Sequence, residues 1–305
     1  MINGRPAPVP PPDPAPTSEE SWTVGRLLRW TTDYLKTRGS PSSRLDAEVM
    51  LAHVLKWQRV ELYTHFEEIV AEHSRSRFRE LVIRRAKGAP VAYLVGHKEF
   101  FSLSFTVSPA VLIPRPESEF VVTEYLALTR HLEAPVCIDV GTGSGCLAIA
   151  SAHRQSTARF VAIDKSEPAL AIARGNAANL GVADRIDFRL GDQLEPVRDD
   201  SPFDAIVSNP PYIPTDVIDR LEPGVRDFEP RMALDGGTDG LAMVARLIQD
   251  SVDLLKPGGH LILEIGSDQE MPVRALIERQ SVFRLAPTVH DHANHPRVIT
   301  ATKKG

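Results

Sequence analysis

Between residues 136 and 265, short apolar segments alternate with segments whose apolar residues recur at helical spacing. The strand-like segments are residues 136–140, 160–164, 186–190, 205–208 and 261–265, and the helical runs lie near 118–131, 146–154, 167–179 and 240–255. Strands that alternate with helices predict a parallel, doubly wound α/β sheet of the Rossmann-like kind. Such sheets bind ligands at the carboxyl ends of their strands, so functional residues are expected there.

The first strand-like segment runs into a glycine-rich turn that opens a helix, Asp139-Val-Gly141-Thr142-Gly143-Ser144-Gly145. Glycines permit a tight turn, and a helix N-terminus offers unpaired N–H donors. The spacing is G-x-G-x-G, and Cys146 stands where a dinucleotide fingerprint needs its last glycine. An acid before the turn repels a pyrophosphate but suits a cationic amino-acid ligand. The turn therefore favours S-adenosylmethionine as the cofactor.

Two further acids follow the next strand-like segments. Asp164 ends the second segment, where a carboxylate can accept hydrogen bonds from both ribose hydroxyls. Asp192 follows the third segment and is expected to face the adenine amino group, with Gln193 next to it. The predicted cofactor site consists of Asp139, Gly141, Thr142, Gly143, Ser144, Gly145, Asp164, Asp192, Gln193 and Asn209.

The fourth strand-like segment ends in Asn209-Pro210-Pro211-Tyr212. A carboxamide oxygen, a backbone carbonyl held by prolines and an aromatic ring together suit a planar NH2 group on an sp2 carbon. The candidates are therefore an amide or the exocyclic amino group of a base. Such a nitrogen is a weak nucleophile, so we expect these four catalytic residues to hold and orient it.

The segments that precede the alternating region differ in character. Residues 1–17 are rich in proline and predict a disordered tail. Residues 18–90 have helical periodicity, for example at Leu45, Val49, Ala52 and Leu55, and Trp22, Trp30 and Trp57 are expected in the core. Residues 91–116 alternate as in a hairpin linker, and residues 117–305 form the remaining α/β domain.

Composition limits the functional classes. The chain has 305 residues, 42% hydrophobic and 25% charged, and its net charge of −5 argues against a general nucleic-acid binder. Residues 17–100 carry a net charge of +3 and residues 101–305 a net charge of −8. Its two cysteines do not form a zinc or disulfide pattern, and it has neither a long apolar run nor an apolar signal core. We expect a cytoplasmic protein with no metal and no membrane association.

Several segments together resemble the bacterial peptide chain release factor N5-glutamine methyltransferases. Besides the glycine turn and residues 209–212, they are Ser-Arg-Leu-Asp-Ala-Glu at 43–48, Pro-Val-Ala-Tyr-Leu-Val-Gly at 90–96, Val-Leu-Ile-Pro-Arg-Pro-Glu-Ser-Glu at 111–119, Phe-Glu-Pro at 228–230 and Glu-Ile-Gly at 264–266. The resemblance covers roughly residues 20–303. It implies a class I methyltransferase sheet with an N-terminal helical domain that docks the substrate.

The resemblance also implies a reaction and a partner. A methyl group passes from S-adenosylmethionine to the glutamine side-chain nitrogen of the Gly-Gly-Gln motif in class 1 release factors, leaving S-adenosylhomocysteine. Arg115 and Glu117 are expected to line the glutamine pocket, or else to cap the following helix. Glu264 ends a buried strand and is expected either to reach the cofactor pocket or to be a simple strand-end carboxylate. Relatives often carry an aromatic residue where this chain has Gln193, so adenine stacking is not expected there.

Three alternatives share part of this pattern. An adenine-N6 methyltransferase would use the same clamp but needs a basic groove for phosphates. A glutamine methyltransferase for a ribosomal protein differs only in its partner. A non-catalytic cofactor sensor has no need for Asn209 to Tyr212.

His290, His292 and His295 are a weak candidate for a metal site.

Overall fold

The computed structural model describes residues 21–200 and 202–305, so the predicted disordered tail at 1–17 lies outside the described residues. The chain divides into two compact units, with the boundary between Val95 and Gly96. Five residues of the predicted linker therefore lie in the first unit, and they form a short helix there.

The first unit is helical. Its helices are α1 (Val24–Thr37), α2 (Ser43–Leu55), α3 (Glu61–Thr64), α4 (Glu72–Ala86) and α5 (Val91–Val95). Helix α1 begins at Thr23, whose hydroxyl accepts a hydrogen bond from the backbone N–H of Arg26. The buried carboxylate of Asp46 accepts from Arg85 at 2.7 Å and so joins α2 to α4.

Helix α2 contains the periodic residues predicted at 45, 49, 52 and 55. It buries Ala47, Met50, Leu51, Ala52 and Val54, whereas Leu45 is exposed. Its acids Asp46 and Glu48 are also buried, because arginine, tyrosine and serine side chains satisfy their carboxylates. Trp30 is 41% exposed, since it stacks on Tyr34 at the surface rather than entering the core.

The second unit begins with an antiparallel hairpin, β1 (His97–Phe100) and β2 (Leu103–Thr106). Phe101 and Ser102 both have positive φ, as the tight turn between the strands requires. The rings of Phe100 and Phe105 pack in the core of this unit with Val121 and Tyr125 of helix α6 (Glu119–Thr129). The hairpin is thereby anchored in the core of this unit.

The rest of the unit is one sheet covered by helices on both faces. Its elements are β3 (Val136–Val140), α7 (Cys146–Arg154), β4 (Arg159–Asp164), α8 (Glu167–Asn179), β5 (Ile186–Leu190), β6 (Phe203–Ser208), α9 (Pro223–Arg226), α10 (Ala242–Leu254), β7 (Leu255–Glu264), α11 (Glu270–Glu278), β8 (Phe283–Leu285), β9 (Val289–His290) and β10 (Pro296–Lys303). Apolar cores lie on each face of the sheet.

The strand order is β5-β4-β3-β6-β7-β10-β8. Strands β3 to β7 pair in parallel, whereas β10 pairs antiparallel with β7, β8 and β9. The order reverses between β3 and β6, and such a switch point opens a crevice at the carboxyl ends of the strands. The predicted doubly wound α/β fold with an N-terminal helical domain is confirmed.

Candidate functional site

The glycine turn lies at this switch point, between β3 and α7. Gly141, Gly143 and Gly145 all have positive φ, a conformation that side chains disfavour. The N–H groups of Gly141 and Thr142 donate to the Ile163 carbonyl at the end of β4, at 2.8 and 2.9 Å. These bonds hold the turn against the neighbouring strand.

Asp139 lies behind the glycine turn rather than in the crevice. Its side chain is fully buried, and Oδ2 accepts from the Thr142 hydroxyl at 2.7 Å and from the Ala148 N–H at 3.2 Å. Oδ1 is buried without a hydrogen-bond partner. Burial raises the pKa of Asp139 to about 7, although both hydrogen bonds oppose the increase. The contacts of this carboxyl are therefore to the turn itself.

A cleft of about 700 Å³, open to solvent, lies in front of the turn. It is lined by residues 110–112, 163–166 and 191–193, and by Gly141, Gly143, Asn209 and Pro211. Thr142 and Ser144 are buried in the turn. The structure thus brings together side chains from the ends of β4, β5 and β6, which are far apart in the sequence.

Asp164 joins the glycine turn to the cleft. Its Oδ2 accepts from the Gly143 N–H at 2.9 Å, and its Oδ1 accepts from the Ser166 N–H at 2.9 Å. Burial raises the pKa of this carboxyl, while the two backbone donors lower it. Each oxygen has a second lone pair, so the group can still accept hydrogen bonds from a ligand.

Asp192 and Gln193 line the same cleft but differ in their partners. Asp192 forms an ion pair with Arg246, which also holds Glu195 at 2.7 Å. Gln193 adopts a positive φ of 51° and is buried, and its Oε1 has no hydrogen-bond partner. A buried acceptor without a partner is costly unless a ligand satisfies it, so Gln193 is the better-placed acceptor for an amino group.

Asn209 follows β6, whose last residue, Ser208, donates its hydroxyl to the Val140 carbonyl at 2.7 Å. The Asn209 Nδ2 donates to the hydroxyl of Ser118 at 2.9 Å, and that hydroxyl donates to Glu264 Oε2 at 2.6 Å. Both Ser118 and Glu264 are buried. Sequence reasoning missed Ser118, whose only signal was its place between the two acids of Pro-Glu-Ser-Glu.

Residues 210–213, which follow Asn209, are held in place by hydrogen bonds to their backbone. Ile213 exchanges hydrogen bonds with the backbone of Leu234 and Gly236, and Gln269 donates its Nε2 to the Tyr212 carbonyl at 2.9 Å. Pro211 lines the cleft, whereas Pro210 is buried and Tyr212 is half-buried beside it. Burial raises the pKa of Tyr212 to about 12, so its phenol stays protonated at neutral pH.

Arg115 and Glu117 do not line this cleft. Arg115 donates to Glu229 Oε1 at 2.6 Å, and the other oxygen of Glu229 accepts from the Ile113 N–H. This buried glutamate belongs to the Phe-Glu-Pro segment at 228–230, to which the sequence assigned no role, and it ties residues 113–115 to the segment that contains Pro230. Glu117 lines a separate cleft together with Phe120 and His292.

The three late histidines are dispersed. His292 packs edge-on against Phe120, His295 lies 3.5 Å from Asp291, and His290 lies 3.1 Å from the Thr288 carbonyl. Within the part of the chain that the structure describes, no group of three or more His, Cys, Asp or Glu side chains is arranged to hold a metal ion. Among residues 21–200 and 202–305, no helix is long and apolar enough to cross a membrane.

Comparison with known proteins adds independent information on both units. A family model described as the PrmC N-terminal domain matches residues 26–96, and the methyltransferase small domain matches residues 123–219. The solved catalytic domain of hMettl16, in complex with the MAT2A 3'UTR hairpin 6, has a TM-score of 0.54 at 18% identity, covering 74% of this chain and 82% of that one. At that identity the likeness supports the fold alone. Fold and site define a methyltransferase with a Rossmann-like sheet.

Curated relatives narrow this class. The chain is 43% identical over 294 residues to the release factor glutamine methyltransferase of Rhodopirellula baltica, covering 95% of this chain and 99% of that protein. It is also 43% identical over 282 residues to the release factor glutamine methyltransferase of Moorella thermoacetica, covering 92% and 99%. The chain belongs to the release factor glutamine methyltransferase family, which confirms the resemblance drawn from the sequence.

Proposed function

We propose that this enzyme transfers a methyl group from S-adenosylmethionine to the side-chain amide nitrogen of a glutamine in the Gly-Gly-Gln motif of class 1 release factors. The observation that carries the proposal is the Asn209 carboxamide, which lines the cleft while its Nδ2 is held by Ser118. Membership in the family supports the choice of substrate. A substrate that serves translation implies that the reaction takes place in the cytoplasm.

The cleft residues fit this cofactor. When bound, S-adenosylmethionine supplies a methyl group attached to a positively charged sulfur. This sulfur is a good leaving group because it departs as a neutral thioether. Asp164 would accept from the ribose hydroxyls, and the buried, unpartnered Oε1 of Gln193 would accept from the adenine amino group. The glycine turn, Gly141 to Gly145, would border the amino-acid part with its backbone, while most of its N–H groups donate within the protein. Asp139 would support the turn from behind, and Asp192 would border the adenine site through its pair with Arg246.

The substrate nitrogen requires orientation more than deprotonation. We assign one amide N–H to Asn209 Oδ1 and the other to the Pro210 carbonyl, which Pro211 keeps rigid. Held in this way, the nitrogen lone pair points along one direction as a bond to the methyl carbon forms and the carbon–sulfur bond breaks. Orientation of this kind can supply roughly 7–11 kcal/mol in the best cases. The extra proton then leaves the methylated nitrogen to solvent. Tyr212 would flank the planar amide.

The sequence led us to expect that Arg115 and Glu117 both line the glutamine pocket. We assign them separate roles instead. Arg115 holds the segment 110–115 through Glu229, and that segment lines the cleft at 110–112. Glu117 would contact the substrate polypeptide beyond the reacting glutamine, in the separate cleft with Phe120.

The helical unit would dock the body of the release factor. Residues 17–100 carry a net charge of +3, and Arg44, Arg59 and Tyr63 gather around the buried carboxylate of Glu48 at its surface. Val60, beside this cluster in the sequence, is 63% exposed. An exposed apolar side chain beside basic groups suits a protein surface with acidic character.

One experiment separates this function from its rivals. Purified enzyme is incubated with cofactor carrying a labelled methyl group and, separately, with a class 1 release factor, a ribosomal protein and duplex DNA. We expect transfer to the release factor alone. Transfer to DNA would identify a base methyltransferase, in conflict with the net charge of −8 on residues 101–305. Transfer to the ribosomal protein would retain the chemistry and replace the partner, and no transfer to any substrate would contradict the catalytic proposal.

A further inference from the structure

A chain of buried hydrogen bonds runs from the cleft into the core. It starts at Asn209 Nδ2, passes through the Ser118 hydroxyl at 2.9 Å and ends at Glu264 Oε2 at 2.6 Å. The three residues come from three separate places in the sequence: the end of β6, the turn before α6 and the end of β7. Ser118 and Glu264 are each only 2% exposed. Water therefore does not compete for the bond between Ser118 and Glu264.

The chemistry of the three side chains fixes which group donates and which accepts in each of these hydrogen bonds. An ionised carboxylate only accepts hydrogen bonds, so the single hydroxyl proton of Ser118 is directed to Glu264. The lone pairs of the same hydroxyl then face Asn209, and they can be met only by its NH2 group. An amide turned by 180° would place its oxygen against a hydroxyl oxygen whose proton is already used.

This direction matters for the reacting nitrogen. The two orientations of a carboxamide differ only by exchange of the oxygen and the NH2 group. With the oxygen toward the cleft, Asn209 accepts an N–H of the substrate amide. With the NH2 group toward the cleft, it opposes that N–H with another donor. A single wrong orientation therefore converts a favourable contact into a repulsive one.

We propose that Ser118 and Glu264 are positioning residues that fix the Asn209 carboxamide with its oxygen toward the substrate nitrogen. The inference rests on the proposed function, since it concerns how the same nitrogen is held. Neither residue touches the substrate. Ser118 acts through Asn209, and Glu264 acts through Ser118.

The mechanism implies a dependence on pH. Burial raises the pKa of Glu264 to about 7, although the Ser118 hydrogen bond opposes the increase. Once protonated, Glu264 can donate to Ser118, whose proton then turns toward Asn209 and favours the reversed amide. Activity should therefore fall as the pH drops through about 7. The titratable groups that act electrostatically on Glu264 are Glu117, Arg115, Arg297, Tyr212 and Cys146.

The test compares Ser118→Ala, Ser118→Thr and Glu264→Gln with the wild type, using a release factor as substrate. Ser251→Ala, a buried serine whose hydroxyl bonds only within its own helix, is the matched control. Cofactor affinity by calorimetry and melting temperature are measured for every variant. We expect Ser118→Ala to lower kcat by roughly 10- to 100-fold with cofactor affinity within about threefold. Ser118→Thr should restore most of the rate, because it restores the hydroxyl.

Glu264→Gln supplies the second readout. The glutamine side chain does not titrate, so the fall in kcat below about pH 7 should weaken or disappear. Wild-type kcat in Ser118→Ala would overturn the proposal, as would an unchanged acid limb in Glu264→Gln or a Ser118→Thr as slow as Ser118→Ala. If Ser118→Ala does not fold, the results for Ser118→Thr and Glu264→Gln decide whether the proposal holds. Failure of the proposed function is distinguishable, since the wild type itself would then not methylate the release factor.

Discussion

Replacing Asp139 by asparagine should make the second unit increasingly more stable than the wild type as the pH rises from about 5 to about 8. The Asp139 carboxyl is fully buried, and its Oδ1 has no hydrogen-bond partner. Burial raises its pKa to about 7. An asparagine keeps one oxygen for Thr142 and Ala148 and places a neutral NH2 group where the unpartnered oxygen lies.

The magnitude follows from linkage between ionisation and folding. An unfolded aspartate has a pKa of about 3.9, well below the value in the folded protein. A group with a raised folded pKa contributes stability at low pH and loses it as the pH rises toward that pKa. Each pH unit within this window costs about 1.4 kcal/mol of unfolding free energy. The wild type loses this stability over the two units between about pH 5 and the folded pKa of about 7, so by about pH 8 the variant should have gained roughly 2 to 3 kcal/mol on the wild type.

Hydrogen exchange of the amides of β3 and β4 measures this free energy in the second unit itself. Tryptophan fluorescence is unsuitable, because Trp22, Trp30 and Trp57 all lie in the helical unit. The quantity compared at each pH is the variant minus the wild type, which cancels the titration of other groups, including Glu264. A difference that stays constant within about 0.5 kcal/mol over the whole range would refute the reasoning.

Three further changes test other parts of the account. Asn209→Ala should lower kcat by roughly 10²- to 10³-fold and leave cofactor affinity within a few fold, measured by steady-state kinetics and calorimetry; a wild-type kcat contradicts the clamp. Gly145→Ala should lower the melting temperature more than Gly181→Ala. Both glycines have positive φ, but only at Gly145 would the added Cβ meet a side-chain carbon at 2.6 Å, so equal losses would contradict the steric argument. Val60→Glu should raise KM for a whole release factor but not for a short Gly-Gly-Gln peptide, whereas Met271→Glu, at an exposed position on the second unit, should change neither; an unchanged KM for Val60→Glu argues against docking there.

Much of the second unit could be predicted from the sequence because its central strands are buried on both faces. Such strands are nearly continuous apolar runs, and the predicted segment 136–140 coincides with β3. The predicted segment 186–190 coincides with β5, an edge strand in which only Ile186 is buried. The helices 146–154 and 167–179 are also confirmed. The antiparallel strands β8, β9 and β10 were not delimited, because they are short or partly exposed.

The site was predictable where function depends on a local run of residues. The glycine turn and residues 209–212 can be recognised in the sequence from the spacing of their glycines and prolines. Ser118 and Glu229 do not, since each acts through a partner more than ninety positions away. A side chain's burial and its hydrogen-bond partner depend on which strand ends the fold brings together. The buried oxygen of Gln193 is likewise visible only in three dimensions.

The central claim is that the cleft holds a glutamine side-chain nitrogen for methylation. Tandem mass spectrometry of a release factor, after incubation with this enzyme and S-adenosylmethionine, tests it most directly. The account predicts the mass of one added methyl group on the side chain of the Gly-Gly-Gln glutamine, and none when Asn209→Ala replaces the wild type over the same short incubation. A methyl group found on another residue, or no added mass with the wild-type enzyme, would contradict it.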